Sequence, residues 1–325
     1  MNFKLMTLTG LIAMTMLSCE KDNNTWVSEN TWQPEIILEQ TIQTNVEIMG
    51  TALNSVFITL LDDSVSRAEF TQTILQPLHY FESNEGFFFV ETLNGYLIAD
   101  PSLPDMLGTW RYNVQDINGV YLVRNMIDIA RFATLGWTNY AFNNPATGLV
   151  EAKRSAVKLI PSANWFVASG YYESQVEAMS ELTSTEYYDF MYRELVNTFA
   201  GVLVNLAQQY PPESDFFIDV AREMIHHARF GIDYSGYFFL YTMEGVIVAY
   251  GADAEMDGVD MINFQDVHGN YIVQYVIERL ETAPSFYFDY DWENPTTGLI
   301  EHKRSYIKRL DDLNMYIGSG IYLEE

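Results

Sequence analysis

Two lysines of this 325-residue chain occupy equivalent places in a repeated phrase, Lys153-Arg154-Ser155 and Lys303-Arg304-Ser305. The chain carries 17 basic against 44 acidic residues. A lysine sheltered from that field is a natural partner for a carboxylate, through a charge-assisted hydrogen bond. The competing reading is a solvated lysine, or one tied to Asp116 or Asp266 to hold a loop. Ahead of the lysines stand Tyr140 with Phe142, and Tyr290 with Trp292. Two positions apart on a strand, each pair shares one face, and rings with polar tips suit a small-ligand pocket. Plain core packing is the alternative. Arg111, next to Trp110, could clamp a carboxylate bidentately; Met261 stands at the corresponding later position. His268, beside Gly269, could donate a hydrogen bond from a loop. Strand alternation puts Lys303, Ser305 and Ile307 on one face and Arg304, Tyr306 and Lys308 on the other. Lys303 and Tyr306 therefore share a pocket only across a bulge or at a strand edge.

Catalytic chemistry finds little support. His226 and His227 are adjacent on an expected helix and so face different directions, a poor metal pair. The chain has no His/Cys cluster, no nucleophile elbow and no phosphate-cradling glycine loop. Asp311-Asp312 reads as a turn. The expectation is a binding protein rather than an enzyme, with no cofactor and no metal. A net charge of −27 repels nucleic acid and anionic lipid, so neither is an expected partner.

The elements that position these residues come twice. Asn144-Pro145-Ala146-Thr147-Gly148-Leu149 returns as Asn294-Pro295-Thr296-Thr297-Gly298-Leu299, and the same offset matches Gly95 to Gly245, Asp116 to Asp266 and Ser169-Gly170 to Ser319-Gly320. The chain thus holds two copies of one unit, each long enough to bury its own core. Apolar spacing predicts a long helix over Pro34–Leu61 and again over Glu186–Gln209, then shorter helices near Ala68–Tyr80 and Asp215–Phe230. Strands follow at Phe87–Val90 and Tyr96–Ala99 around Asn94-Gly95, which reads as a type I′ hairpin. A helix over Tyr121–Ala133 leads to strands at Trp137–Phe142, Val150–Ile160 and Trp165–Tyr172. The fold class is α+β: a long helix plus an antiparallel sheet of about five strands, twice. The copies divide at residue 174, giving modules over 32–174 and 175–325.

The N-terminus reads as a secretion signal. Lys4 precedes an apolar run, Leu5 to Leu17, too short to span a bilayer. It ends in Met16-Leu17-Ser18-Cys19, which resembles the lipobox of bacterial lipoproteins. That resemblance implies cleavage of residues 1–18, acylation of Cys19 and a tether over 19–31 holding the protein to a membrane. Cys19 is the only cysteine, so no intrachain disulfide supports the fold.

The ordered motifs Asp116-x-x-Gly119, Pro145-x-x-Gly148, Lys153-x-Ser155-x-x-Lys158 and Ser169-Gly170-x-Tyr172, with their counterparts through Ser319-Gly320-x-Tyr322, resemble the Cache domain family of extracellular sensor domains in chemoreceptors and histidine kinases. The second copy matches more closely; the first departs at Phe142, Ala156 and Ala168. The resemblance implies two tandem PAS-like modules. It also implies a pocket between sheet and covering loops that takes small carboxylates, amino acids or similar metabolites. The residues placed there are Tyr290, Trp292, Lys303, Tyr306 and His268 in copy two, and Tyr140, Lys153, Arg111 and Trp110 in copy one. The expected protein is a lipid-anchored, extracytoplasmic sensor at the outer membrane, on its periplasmic or cell-surface face. It would act through a membrane signalling or transport partner. The alternative is a surface lipoprotein that uses the modules as spacers.

Overall fold

The computed structural model describes residues 34–81, 83–178, 184–231 and 233–322. Cys19, the apolar run and the tether lie outside them. Among the described residues no helix is long and apolar enough to cross a membrane.

Copy one opens with α1 (Pro34–Thr59), which starts on a proline and has Glu35 in its first turn, both favourable at a helix N-terminus. Leu38, Ile42, Val46, Met49, Leu53 and Val56 are buried along it at helical spacing. Asp63 then caps α2 (Ser64–Leu75) by accepting from the backbone N–H groups of Val65 and Ser66. The cap starts α2 four residues before the periodicity suggests. The helix stops early because His79–Tyr80 pairs with Gly86–Phe87. The remaining elements are β1 (Phe89–Thr92), β2 (Leu97–Ala99), α3 (Leu122–Phe132), β3 (Leu135–Asn143), β4 (Val150–Ile160), β5 (Trp165–Tyr172) and a short unanticipated helix, α4 (Glu173–Ala178). The sheet runs β2-β1-β5-β4-β3, all antiparallel.

Copy two repeats the plan with α5 (Ser184–Ala207), α6 (Asp215–His226), β6 (Phe238–Thr242), β7 (Ile247–Tyr250), α7 (Ile272–Thr282), β8 (Ser285–Glu293), β9 (Ile300–Leu310) and β10 (Met315–Tyr322). Its sheet order, β7-β6-β10-β9-β8, is the same. In each copy the long helix covers one face of the sheet, and the short helix, α3 or α7, packs at the other with the loop that precedes it. The helices of the two copies also meet: α1 packs on α5 and α6, and α2 on α5. Polar bonds pin this contact. Ser55 donates to Glu223 at 2.5 Å, and the Phe81 N–H donates to the buried Glu194 at 3.0 Å.

The hairpin at Asn94-Gly95 differs from the type I′ expectation. Gly95 N–H donates to Thr92 O while Thr92 N–H donates to Tyr96 O, and only Gly95, not Asn94, has positive φ. This is a type I turn closed by a glycine bulge, and it repeats at Gly245. The Ser-Gly motifs serve strand packing. A Cβ on Gly320 would lie 2.0 Å from Arg304 O and 2.5 Å from Ser305 Oγ, so only glycine lets β10 approach β9 this closely. Ser319 donates to Tyr237 O at 2.7 Å.

Candidate ligand pockets in the two interiors

Strand register brings the candidate residues together. Lys303 on β9 pairs with Tyr290 on β8 and Tyr322 on β10; Lys153 likewise lies between Tyr140 and Tyr172. All point to the face away from the long helix. Both lysines are at most 2% exposed.

In copy one the interior is charged. Glu91, Asp100, Arg111 and Lys153 are all buried. Arg111 binds Glu91 at 2.8 Å and lies 3.9 Å from Asp100. The Lys153 ammonium position sits over the rings of Phe87 (3.7 Å), Tyr172 (4.8 Å) and Phe142 (5.3 Å), and its Nζ makes no hydrogen bond among the described residues. Burial pushes Lys153 down to about 7, against the pull of Asp100. Burial pushes Glu91 up to about 7, against the pull of Arg111. Arg111 with its two acids, and Lys153 among its rings, thus surround a cavity of about 10 Å³ lined by Arg111, Tyr140 and Lys153, room for about one water.

In copy two three of those four charges are gone. Tyr241, Tyr250 and Met261 stand where Glu91, Asp100 and Arg111 stand in copy one. Lys303 keeps its box, with Tyr237 at 3.6 Å, Tyr322 at 4.7 Å and Phe239 at 5.9 Å, and one long hydrogen bond, 3.4 Å to Tyr322 OH. Among the described residues no acid offsets its burial, which pushes it well below the usual lysine range, with Arg229 adding like-charge repulsion. Phenols form a network beside it. Tyr237 and Tyr250 share a hydrogen bond of 2.9 Å, Trp292 Nε1 donates to Tyr250 at 2.7 Å, and Tyr290 meets Ser305 at 3.1 Å. The adjoining cavity, about 30 Å³, is lined by Tyr290 and Trp292 together with Tyr237, Phe239, Tyr241 and Tyr316. Lys303 sits one ring behind that wall.

The other candidates are not brought to these interiors. Tyr306 is buried on the opposite face, against Tyr287 at 5.0 Å between ring centroids, as strand alternation requires. Trp110 is half exposed, donates to Asn94 O and stacks on Tyr112. His268 is exposed, its Nε2 2.6 Å from Asp291, and lines an outer groove of about 620 Å³. Asp116 does not reach Lys153; it accepts from the N–H groups of Asn118, Val120 and Ala141, tying the loop to the edge strand. Among the described residues no group of three metal-ligating side chains is placed to hold an ion. Sequence reading missed Glu91 and Asp100 in one copy and Tyr237, Tyr241, Tyr250 and Tyr316 in the other. The period-two run Tyr237-Phe239-Tyr241 carried the signal that these three share one face; only the sheet pairing brings that face to Lys303.

Known proteins extend the picture. The chain is 25% identical over 109 residues to the sensor histidine kinase MctS of Rhizobium johnstonii, covering 33% of this chain and 23% of that protein. It is 25% identical over 105 residues to the methyl-accepting chemotaxis protein McpP of Pseudomonas putida, covering 32% and 19%. The chain therefore spans under a quarter of the length of these curated relatives. Among solved structures, a methyl-accepting chemotaxis protein from Vibrio parahaemolyticus is similar at 23% identity with a TM-score of 0.36, over 40% of this chain and 85% of that one. The Cache domain family model, dCache_2, matches residues 21–325, which takes in both copies, and the chain belongs to the Cache domain family.

Proposed function

We propose that this protein is an extracytoplasmic, lipid-anchored sensor that binds a small carboxylate in copy two and acts through a membrane partner. One observation carries the choice of ligand and copy: Lys303 is fully buried beside a phenol-lined cavity with no acidic side chain among the described residues to balance it. A buried cation is ordinarily paired, and a ligand carboxylate would supply the missing charge through charge-assisted contacts. Tyr290, Trp292 and Lys303 are the binding residues of this reading. The resting cavity holds only about one or two waters, so the ligand selects a wider interior than the resting one. The apolar run before Cys19 supports the anchor, and the acyl chains would hold the module at the membrane surface.

Copy one favours a second role. Arg111 is paired with its own chain's Glu91 and Asp100 around almost no free space, which suits a spacer holding copy two away from the membrane.

Thermal unfolding of the full chain with acetate, propionate and pyruvate tests the proposal. Binding should raise the midpoint with ligand concentration, and Lys303→Met should abolish the rise. Equal midpoints with and without every acid would refute the carboxylate reading.

A further inference from the structure

We infer that His268, Asp291 and His302 form a latch that ties the loop of copy two to the edge of its sheet, and that protons tighten it. The loop is held more firmly in mildly acidic than in mildly alkaline surroundings. This goes beyond the binding reading and depends on no ligand. The loop leads into α7, whose Ile272, Val273 and Val276 wall the copy-two cavity. What fastens the loop therefore bears on how readily that wall moves.

The same loop is fastened differently in the two copies. In copy one Asp116 shapes the turn by accepting from the N–H groups of Asn118 and Val120, and its other oxygen accepts from the Ala141 N–H at 2.8 Å. That last bond is the tie to the edge strand β3. Its acid is held below the usual 3.8 by the backbone N–H of Ala141, so it keeps its charge near neutral pH. In copy two Asp266 shapes the same turn through His268 and Asn270, but its second oxygen takes the Asn270 side chain at 3.0 Å. No bond from Asp266 to β8 is found among the described residues. Side chains make the tie instead. Asp291 on β8 meets His268 Nε2 from the loop at 2.6 Å and His302 Nδ1 from β9 at 3.2 Å. His302 is the register partner of Asp291, so only His268 links the loop to the sheet. Copy one has Asn118, Ala141 and Ala152 at the three positions, and the cluster is peculiar to copy two.

A neutral imidazole can donate one such bond; an imidazolium adds a charge opposite the carboxylate. The two histidine side chains are 62% and 43% exposed, so both can take up a proton from water. The bond to Asp291 raises His268 above the ordinary 6.5, and the bond to His268 lowers Asp291 below 3.8. The charged latch is thus complete just below 6.5 and is lost as pH rises through the native His268 value. The other groups facing the cluster support this. Asp266 of the loop favours a charged His268. Asp289 of β8 is bound by Arg304 at 2.7 Å, and Tyr271, Tyr275 and Tyr290 contribute phenols to the groove.

Hydrogen exchange of the full chain at pH 5.5, 7 and 8.5, corrected for intrinsic rates, tests the latch, with the copy-one loop as internal reference. Protection of the amides at 266–270 should fall about twofold to fivefold from pH 5.5 to 8.5, the scale of one exposed ion pair, while protection at 116–120 stays level. His268→Asn, which installs the copy-one residue, should level the copy-two profile. In Asp291→Ala the NMR titration of His268 should move to lower pH. A copy-two profile as flat as that of copy one, an equal fall in both loops, or a fall that survives His268→Asn would overturn the latch.

Discussion

Replacing Lys303 with methionine should stabilise the free protein, and the gain should shrink as pH rises. An ammonium moved from water into the interior loses several kcal/mol. The ring contacts around Lys303 return about 2 kcal/mol at best, and its hydrogen bond among the described residues is 3.4 Å long. With no acid to offset the remainder, the amine is held neutral well below its ordinary range. The sign follows from proton counting. Between the depressed native value and the ordinary 10.5, the unfolded chain binds one proton more than the native chain. Wild-type stability therefore rises with pH across that interval, by about 1.4 kcal/mol per unit. Lys303→Met, similar in length and apolar, lacks this dependence. It should be more stable by about 1–4 kcal/mol at pH 8. The difference should narrow by about 2 kcal/mol at pH 9.5. The buried tyrosines also titrate against the unfolded state, but they are common to both proteins and cancel in the difference. Urea unfolding of both proteins at pH 8, 8.75 and 9.5 measures it. A variant less stable than wild type, by a margin independent of pH, would refute the uncompensated lysine.

In copy one, Arg111→Met should cost about 3–5 kcal/mol because it strands Glu91, whereas Glu91→Tyr with Arg111→Met, the copy-two pairing, should cost clearly less; a double-mutant cycle in urea shows this as a coupling energy. Gly320→Ala should destabilise by about 1–3 kcal/mol or more, since its Cβ meets Arg304 O and Ser305 Oγ, while Gly298→Ala, with nothing within 4 Å but φ of +69°, should show only the smaller backbone penalty. Asp116→Ala should speed hydrogen exchange at Ala141, whose N–H it accepts. In wild type the same loosening should appear as pH falls through the Asp116 native pKa, which its backbone hydrogen bonds hold below the usual 3.8.

The long strands were legible almost to the residue, because β4 and β5 are β-rich runs that end before Pro161 and Glu173, where short helices begin. Helix ends were less so. α2 is fixed by Asp63, a cap that outweighs where the apolar period first becomes visible. The hairpin at Gly95 misled because Asn-Gly signals positive φ at both residues, while the glycine here takes it alone to form a bulge. In the site, alternation within β9 rightly kept Lys303 apart from Tyr306. What alternation could not supply was pairing between distant segments. Nothing local says that Glu91 meets Arg111, or that Tyr241 stacks on Tyr316, since both contacts depend on sheet order and on a loop folding back.

That cross-strand pairing is also where the two copies part. The frame is held in common: the Ser-Gly approach of the last two strands, the lysine between two tyrosines, the glycine-bulged hairpin. Within it the same buried lysine is answered in opposite ways. Copy one supplies carboxylates from β1 and the turn after β2, which pair with Arg111 and leave the interior nearly full, with Asp100 drawing the Lys153 pKa up against burial. Copy two puts phenols at those positions, which can donate to an anion but cannot balance a cation. Copy two therefore holds its lysine neutral among rings, where copy one sets two carboxylates around an arginine. By burial alone a methionine would serve copy two better than Lys303, so the stability difference between wild type and Lys303→Met measures what the chain gives up to keep an amine there.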